Sequence, residues 1–88
     1  MVVEFLSKFS KDIDKINQQS VKDNVLKIIL LAEKVNSISE IPGHKKLAGF
    51  KTAYRIRIGD YRIGVFVSGN IVQFARVANR KEIYRLFP

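Results

Sequence analysis

The chain has no cysteine among its 88 residues. That excludes a disulfide framework, a thiolate nucleophile and a cysteine-ligated zinc site, and it fits a reducing, cytoplasmic setting. There is one histidine, His44, beside Pro42-Gly43, and it reads as an ordinary surface residue. Acids are scarce in the second half, where Asp60 and Glu82 are the only two after residue 44. Metal sites need clustered His, Cys or carboxylates, so neither a metal nor another cofactor is expected. Gly43, Gly49, Gly59, Gly64 and Gly69 are scattered and build no phosphate-cradling loop. The longest uninterrupted apolar run, Ile28 to Ala32, is far too short to span a bilayer. No basic stretch followed by an apolar segment opens the chain, so no signal peptide and no membrane partner are expected.

What the chain does have is positive charge, unevenly placed. Residues 1–44 carry six lysines against six acids, whereas residues 45–88 carry ten Lys and Arg against two acids, which accounts for the whole net charge of +8. All six arginines (Arg55, Arg57, Arg62, Arg76, Arg80 and Arg85) lie in this second half. A guanidinium presents a fixed fork of donors that matches phosphate oxygens, so arginine concentrated in one segment points to a planar or phosphate-bearing anion. A length of 88 residues fits one domain, here residues 1–88, with a modest core that needs no staples.

The order of elements follows from periodicity. Val2, Val3, Phe5 and Leu6 form a short β-prone opening. From Ser7, Phe9, Ile13 and Ile16 recur at helical spacing, and Asn17-Gln18-Gln19 ends that helix. Ser20-Val21-Lys22-Asp23 has the outline of a capping box opening a second helix. Val21, Val25, Ile28, Ile29 and Ala32 make its apolar face, and Leu26, Leu30 and Leu31 widen it, which implies burial on more than one side. Residues 36–52 read as a connecting loop. Tyr54–Ile58, Tyr61–Val67 and Ile71–Ala78 alternate as strands, joined by turns at Gly59-Asp60 and Ser68–Asn70. The fold class is therefore α+β: a short N-terminal strand, two helices and a three-stranded antiparallel meander, with the helices on one sheet face.

A two-residue turn at Gly59-Asp60 pairs Ile58 with Tyr61, Arg57 with Arg62 and Arg55 with Gly64. Alternation then sets Arg55, Arg57 and Arg62 on one side of the sheet, and Tyr54, Ile56, Ile58, Tyr61, Ile63 and Val65 on the other. Like charges directly opposite one another are destabilising, and no acid is available on that side. One such arginine is a solvated surface residue; three converging point to an anion site. Gly64 reads either as a gap that lets a backbone or ligand approach or as a bulge. The side taken by Arg76 depends on whether the second turn holds two or three residues. Arg80 and Tyr84 lie four apart and share a side of one helical turn. Tyr84 reads equally as a base-stacking residue and as part of an apolar lid with Ile83, Leu86 and Phe87.

Leu47-Ala48-Gly49, then Tyr54-Arg-Ile-Arg-Ile-Gly-Asp-Tyr-Arg62, then Val77-Ala-Asn-Arg80-Lys-Glu-Ile-Tyr84-Arg85 resemble the RelE/ParE superfamily of toxins from type II toxin–antitoxin systems, over essentially the whole chain. The resemblance implies a microbial-RNase-like fold. For the RelE branch it implies a metal-independent endoribonuclease that cuts mRNA on the ribosome, where the ribose 2′-oxygen attacks the adjacent phosphate and leaves a 2′,3′-cyclic end. It also implies an antitoxin partner, with an acidic segment, that wraps the toxin.

Carried over by position, the implied catalytic residues are Arg57 and Arg62 at the scissile phosphate, Arg80 near the leaving 5′-oxygen and Tyr84 at the 2′-hydroxyl. Lys45, Lys46, Lys51, Arg55, Arg76, Lys81 and Arg85 are the expected RNA-binding set. Many relatives have histidine where this chain has Asn79, and the chain continues only four residues past Tyr84, so a longer terminal helix is not expected. Charge stabilisation suits Arg and Tyr, while their ordinary pKa values, ~10 for Tyr and above ~12 for Arg, make proton transfer slow. A slow enzyme that relies on the ribosome to position its RNA is expected. The ParE branch, which inhibits DNA gyrase, and a non-catalytic RNA- or antitoxin-binding module are the alternatives. The Arg80…Tyr84 pair favours the nuclease.

Overall fold

Alternating apolar and polar residues from residue 53 onward build three long antiparallel strands, and the rest of the molecule is arranged around them. The computed structural model describes all 88 residues. Its elements run β1 (Val2–Phe5), α1 (Ser7–Lys15), α2 (Gln19–Lys34), a 3-10 turn (Ile38–Glu40), β2 (His44–Lys46), β3 (Ala53–Ile58), β4 (Tyr61–Ser68), β5 (Ile71–Asn79) and α3 (Ile83–Leu86). The five strands form one sheet in the order β1-β5-β4-β3-β2. β1 runs parallel to β5, and the other pairings are antiparallel.

The predicted register of β3 and β4 holds residue for residue: Ile58 faces Tyr61, Arg57 faces Arg62 and Arg55 faces Gly64. The second turn is two residues, Gly69-Asn70, with Ser68 paired to Ile71. That register does not run the length of β5. A bulge at Gly64/Val65 pairs Val65 with Phe74 but Gly64 with Arg76, leaving Ala75 over.

Residues 36–52 hold more structure than a loop. The Glu40 carboxylate accepts the backbone N–H groups of Asn36 (2.9 Å) and Ser37 (3.1 Å), which fixes the 3-10 turn. The chain then lays β2 along the edge of β3, pairing Lys45 with Arg55. Three residues, two of them lysine, give alternation too little length to register. The start of α2 also differs from expectation. The helix begins at Gln19, and its N-cap residue, Gln18, makes no side-chain cap bond. Asp23 instead accepts a hydrogen bond from Gln19 Nε2 at 2.9 Å, one turn back.

α1 and α2 cover one face of the sheet. Phe9, Ile16, Val25 and Ala32 from the helices pack on Ile56, Ile63, Val65, Val72, Phe74 and Val77. Phe9 meets Phe74 edge-on at 5.5 Å between ring centroids. Each such large side chain removed from water contributes about 1.5–3 kcal/mol. The widened stripe on α2 is not buried all round: Leu26 and Leu30 are about half exposed. α3 departs from the one-faced arrangement. It lies on the opposite face, where Ile83 and Phe87 pack on Leu47, Ala53, Ala75 and Ala78. The sheet is thus covered on one side by α1 and α2 and partly covered on the other by α3. What α3 leaves open on that second face is where the charge lies. No helix is long and apolar enough to cross a membrane.

Candidate active site

The open part of the second face is a cleft of about 220 Å³ lined by Gly43, Lys45, Arg55, Arg57, Arg62 and Tyr84. Strand pairing alone brings the four cations together. Lys45, Arg55 and Gly64 lie opposite one another across β2, β3 and β4, and Arg57 and Arg62 form the adjacent row. The molecule's one ion pair, Asp12–Arg76, lies elsewhere, so these four charges face each other without a carboxylate between them. Repulsion of this kind costs up to about 1 kcal/mol per directly opposed pair, and a bound polyanion relieves it.

The groups differ in how firmly they are held. The Arg62 guanidinium is fixed: its Nη1 donates to the carbonyls of Gly59 (2.7 Å) and Tyr61 (2.9 Å) at the β3–β4 turn. Arg57 is exposed and its side chain makes no hydrogen bond within the protein, while its backbone N–H donates to Gly43 O at 3.0 Å. Gly43 takes φ +80°, and a Cβ there would press on the Arg57 backbone at 3.0 Å. Glycine is therefore what lets the cleft wall close on β3.

Tyr84 projects from α3 over this row. The Arg55 guanidinium stacks on its ring, 4.4 Å from the centroid, a cation–π contact. The phenol is held below its ordinary value, first by hydrogen bonding and charge from Arg55, then by the charges of Lys45 and Arg62. Cations favour the phenolate, so the shift has the sign their proximity requires. The ring itself is 74% exposed and open to a ligand from the solvent side.

The remaining predicted residues are dispersed. Arg80 does not line the cleft; its backbone N–H donates to Asp60 O at 2.8 Å, which sets it beside the turn that holds Arg62. Lys81 is exposed on the following turn, its N–H bonded to Asn79 Oδ1 at 3.0 Å. Lys46 and Lys51 lie together along the edge loop that includes Leu47 and Phe50. Arg85 points into a separate groove with Lys15, Asn79 and Glu82. Arg76 is committed to Asp12, which binds its Nε (2.7 Å) and Nη2 (3.0 Å) and also accepts the Val77 N–H at 3.0 Å. The bulge settles its position, and it stands apart from the cleft. His44 is exposed on β2, with Nδ1 2.7 Å from Ile41 O, and does not line the cleft.

Gly64 leaves no opening for a ligand, because the Phe87 ring fills the space above it. Tyr84 is likewise no part of a lid: Ile83 and Phe87 are buried beside it and it is not. Sequence reasoning missed Gly43, Asp12 and Phe87. Only Gly43 left a signal, as a turn residue.

Comparison with known proteins places the fold and the family. Residues 3–84 match the family described as the ParE toxin of type II toxin–antitoxin systems, parDE. The chain is 37% identical to Toxin RelE3 of Methanocaldococcus jannaschii, over the full length of both. It superposes on the RelB–RelE antitoxin–toxin complex from Methanococcus jannaschii with a TM-score of 0.83 at 35% identity, covering 97% of this chain and 99% of that one. The archaeal RelE–RelB complex from Pyrococcus horikoshii shares the fold, with a TM-score of 0.73 at 20% identity over 90% of this chain and 93% of that one. The chain belongs to the RelE/ParE superfamily of type II toxin–antitoxin toxins.

Proposed function

We propose that this protein is the toxin of a type II toxin–antitoxin pair and a metal-independent endoribonuclease that cuts mRNA on the ribosome. The observation that carries the reading is the cleft itself: four unpaired cations and one exposed tyrosine, with no acid among them. Such a set does what phosphodiester cleavage requires, because holding the phosphate and stabilising its developing charge supply much of the rate.

In the proposed reaction Arg57 and the fixed fork of Arg62 grip the non-bridging oxygens of the scissile phosphate. Tyr84, as the phenolate that Arg55 favours, takes the proton of the ribose 2′-hydroxyl. The 2′-oxygen forms a bond to phosphorus and the bond to the 5′-oxygen breaks, leaving a 2′,3′-cyclic phosphate. Arg80, exposed beside the β3–β4 turn, stabilises the charge on the leaving oxygen, which takes its proton from water. Lys45 and Arg55 hold the flanking backbone, with Lys46, Lys51, Lys81 and Arg85 as outlying contacts.

No side chain in the cleft is a strong acid or base at neutral pH, so positioning by the ribosome carries much of the rate. Cleavage of one message with and without translating ribosomes tests this. We expect cutting only in the translated sample, and equal cutting in both contradicts the proposal.

A second reading has one specific observation behind it, the match to the ParE family. On that reading the protein inhibits DNA gyrase and leaves RNA intact. A supercoiling assay with purified gyrase separates the two: inhibition there, with translated messages uncut, selects it. Under either reading the partner is an antitoxin, in keeping with the relatives solved as RelB–RelE complexes, and the protein works in the cytoplasm as one domain.

A further inference from the structure

Tyr84 is exposed, sits on a helix of only four residues, and yet is held against Arg55. Propensity cannot supply that order, since so short a helix has no stability of its own in water. The order comes from its neighbours. Ile83 is fully buried and Phe87 is 4% exposed. The Phe87 N–H closes the turn on Ile83 O at 2.8 Å.

Phe87 lies over Gly64, where an added Cβ would overlap Cγ, Cδ1 and Cδ2 of the ring. Phe66, two residues along β4, walls the socket, with ring centroids 5.0 Å apart. Gly64 is the cross-strand partner of Arg55. Directly opposed residues stand about 4.5–5.5 Å apart across a sheet, and Phe87, the extended C-cap residue of α3, is tied to the turn that carries Tyr84 by its N–H bond to Ile83 O. Once Phe87 is seated on Gly64, Tyr84, three residues before it, falls on Arg55.

We propose that Phe87 and Gly64 form a latch that positions Tyr84 over Arg55, so that Phe87 is a positioning residue for the reaction. The inference rests on the nuclease reading for its consequence in rate, but not for its geometry. Gly64 is then required because only a residue without a side chain leaves room for the ring.

The test needs no RNA. The titration of Tyr84 is followed through the ζ-carbon of labelled tyrosine and assigned by its loss in Tyr84→Phe. It is compared in the parent, Phe87→Ala and Gly64→Ala. The groups that set it are Arg55, Lys45 and Arg62. In both variants the Tyr84 midpoint is expected to rise toward the ordinary value near ~10. On translated message, the kcat of both variants is expected to drop roughly ten- to a hundredfold, as misplacement by about an ångström does, with KM little changed.

A Tyr84 midpoint that is the same in parent, Phe87→Ala and Gly64→Ala overturns the latch. Should Gly64→Ala unfold, Phe87→Leu alone leaves the socket intact and removes only the ring, and an unshifted midpoint there overturns it equally. A parent that cuts no RNA while the midpoints move as expected defeats the nuclease reading and leaves the latch standing.

Discussion

Two arginines that look alike in the sequence are held differently. Arg62 spends part of its fork on two turn carbonyls, which only a planar guanidinium can do while still facing the cleft. Arg57 makes no such bonds. On the proposed function, Arg57→Lys keeps most of the cleavage rate, whereas Arg62→Lys loses it about tenfold and either alanine variant about a hundredfold; single-turnover rates on ribosome-bound message measure this. Tyr84 gives the pH dependence. Its phenol is depressed chiefly by Arg55, so the rate is expected to climb with pH and level off above a midpoint that lies below the ordinary tyrosine value. Arg55→Ala moves that profile to higher pH, and an unmoved profile removes Tyr84 from the proton transfer. The sign for stability is consistent. A phenol depressed in the folded state adds stability that builds as pH rises through its folded midpoint and is complete above the unfolded value near ~10. The Arg55, Arg57 and Arg62 cluster was legible in the sequence because strand alternation and a two-residue turn fix it. Arg76 was not, since a single leftover residue, Ala75, resets the register between the turn and Arg76.

At the scale of elements, the exposed edge of β5 is the structural problem that the first helix solves. β1 pairs only with Ile71–Phe74, so the rest of β5 presents unpaired backbone groups. α1 covers it, and Asp12 both accepts the Val77 N–H and grips Arg76. Asp12 and Arg76 are largely buried, with side-chain exposures of 8% and 17%. Removing one partner strands the other, so Asp12→Ala is expected to cost about 3 kcal/mol, or roughly 12 °C or more in melting temperature for a domain of this size. Thermal unfolding followed by circular dichroism checks it, and a loss under ~3 °C contradicts the account. In the sequence Asp12 was one polar position on an amphipathic helix, with nothing to mark it as a partner of residues more than sixty positions away. β2 was hidden for a different reason: its three residues have no apolar alternation, and only the free edge of β3 makes them a strand. α3 was legible as a turn but not in its placement, because what seats it is the absence of a side chain at Gly64.

Over the whole molecule the charge is segregated by face. Residues 1–44, which include α1 and α2, carry balanced charge, and four of the ten cations of the second half line one cleft on the opposite face. A steady surplus held in one cleft is a standing cost to the fold and an attraction for an acidic partner. The antitoxin implied by the proposed function is therefore expected to stabilise this protein by covering the cleft. At a free concentration a hundredfold above its dissociation constant, mass action alone gives about 2.7 kcal/mol, or roughly 10 °C or more. A complex melting no higher than the free protein argues against docking at this face.

The most direct test of the central claim is the rate at which the purified protein cuts an mRNA codon presented on a ribosome, with the new ends mapped and their chemistry determined, for the parent and for Arg57→Ala/Arg62→Ala. The account predicts cutting by the parent with 2′,3′-cyclic phosphate ends, and a folded double variant at least about a hundredfold slower. Equal rates in the two proteins, or a parent that leaves the message whole, would contradict it.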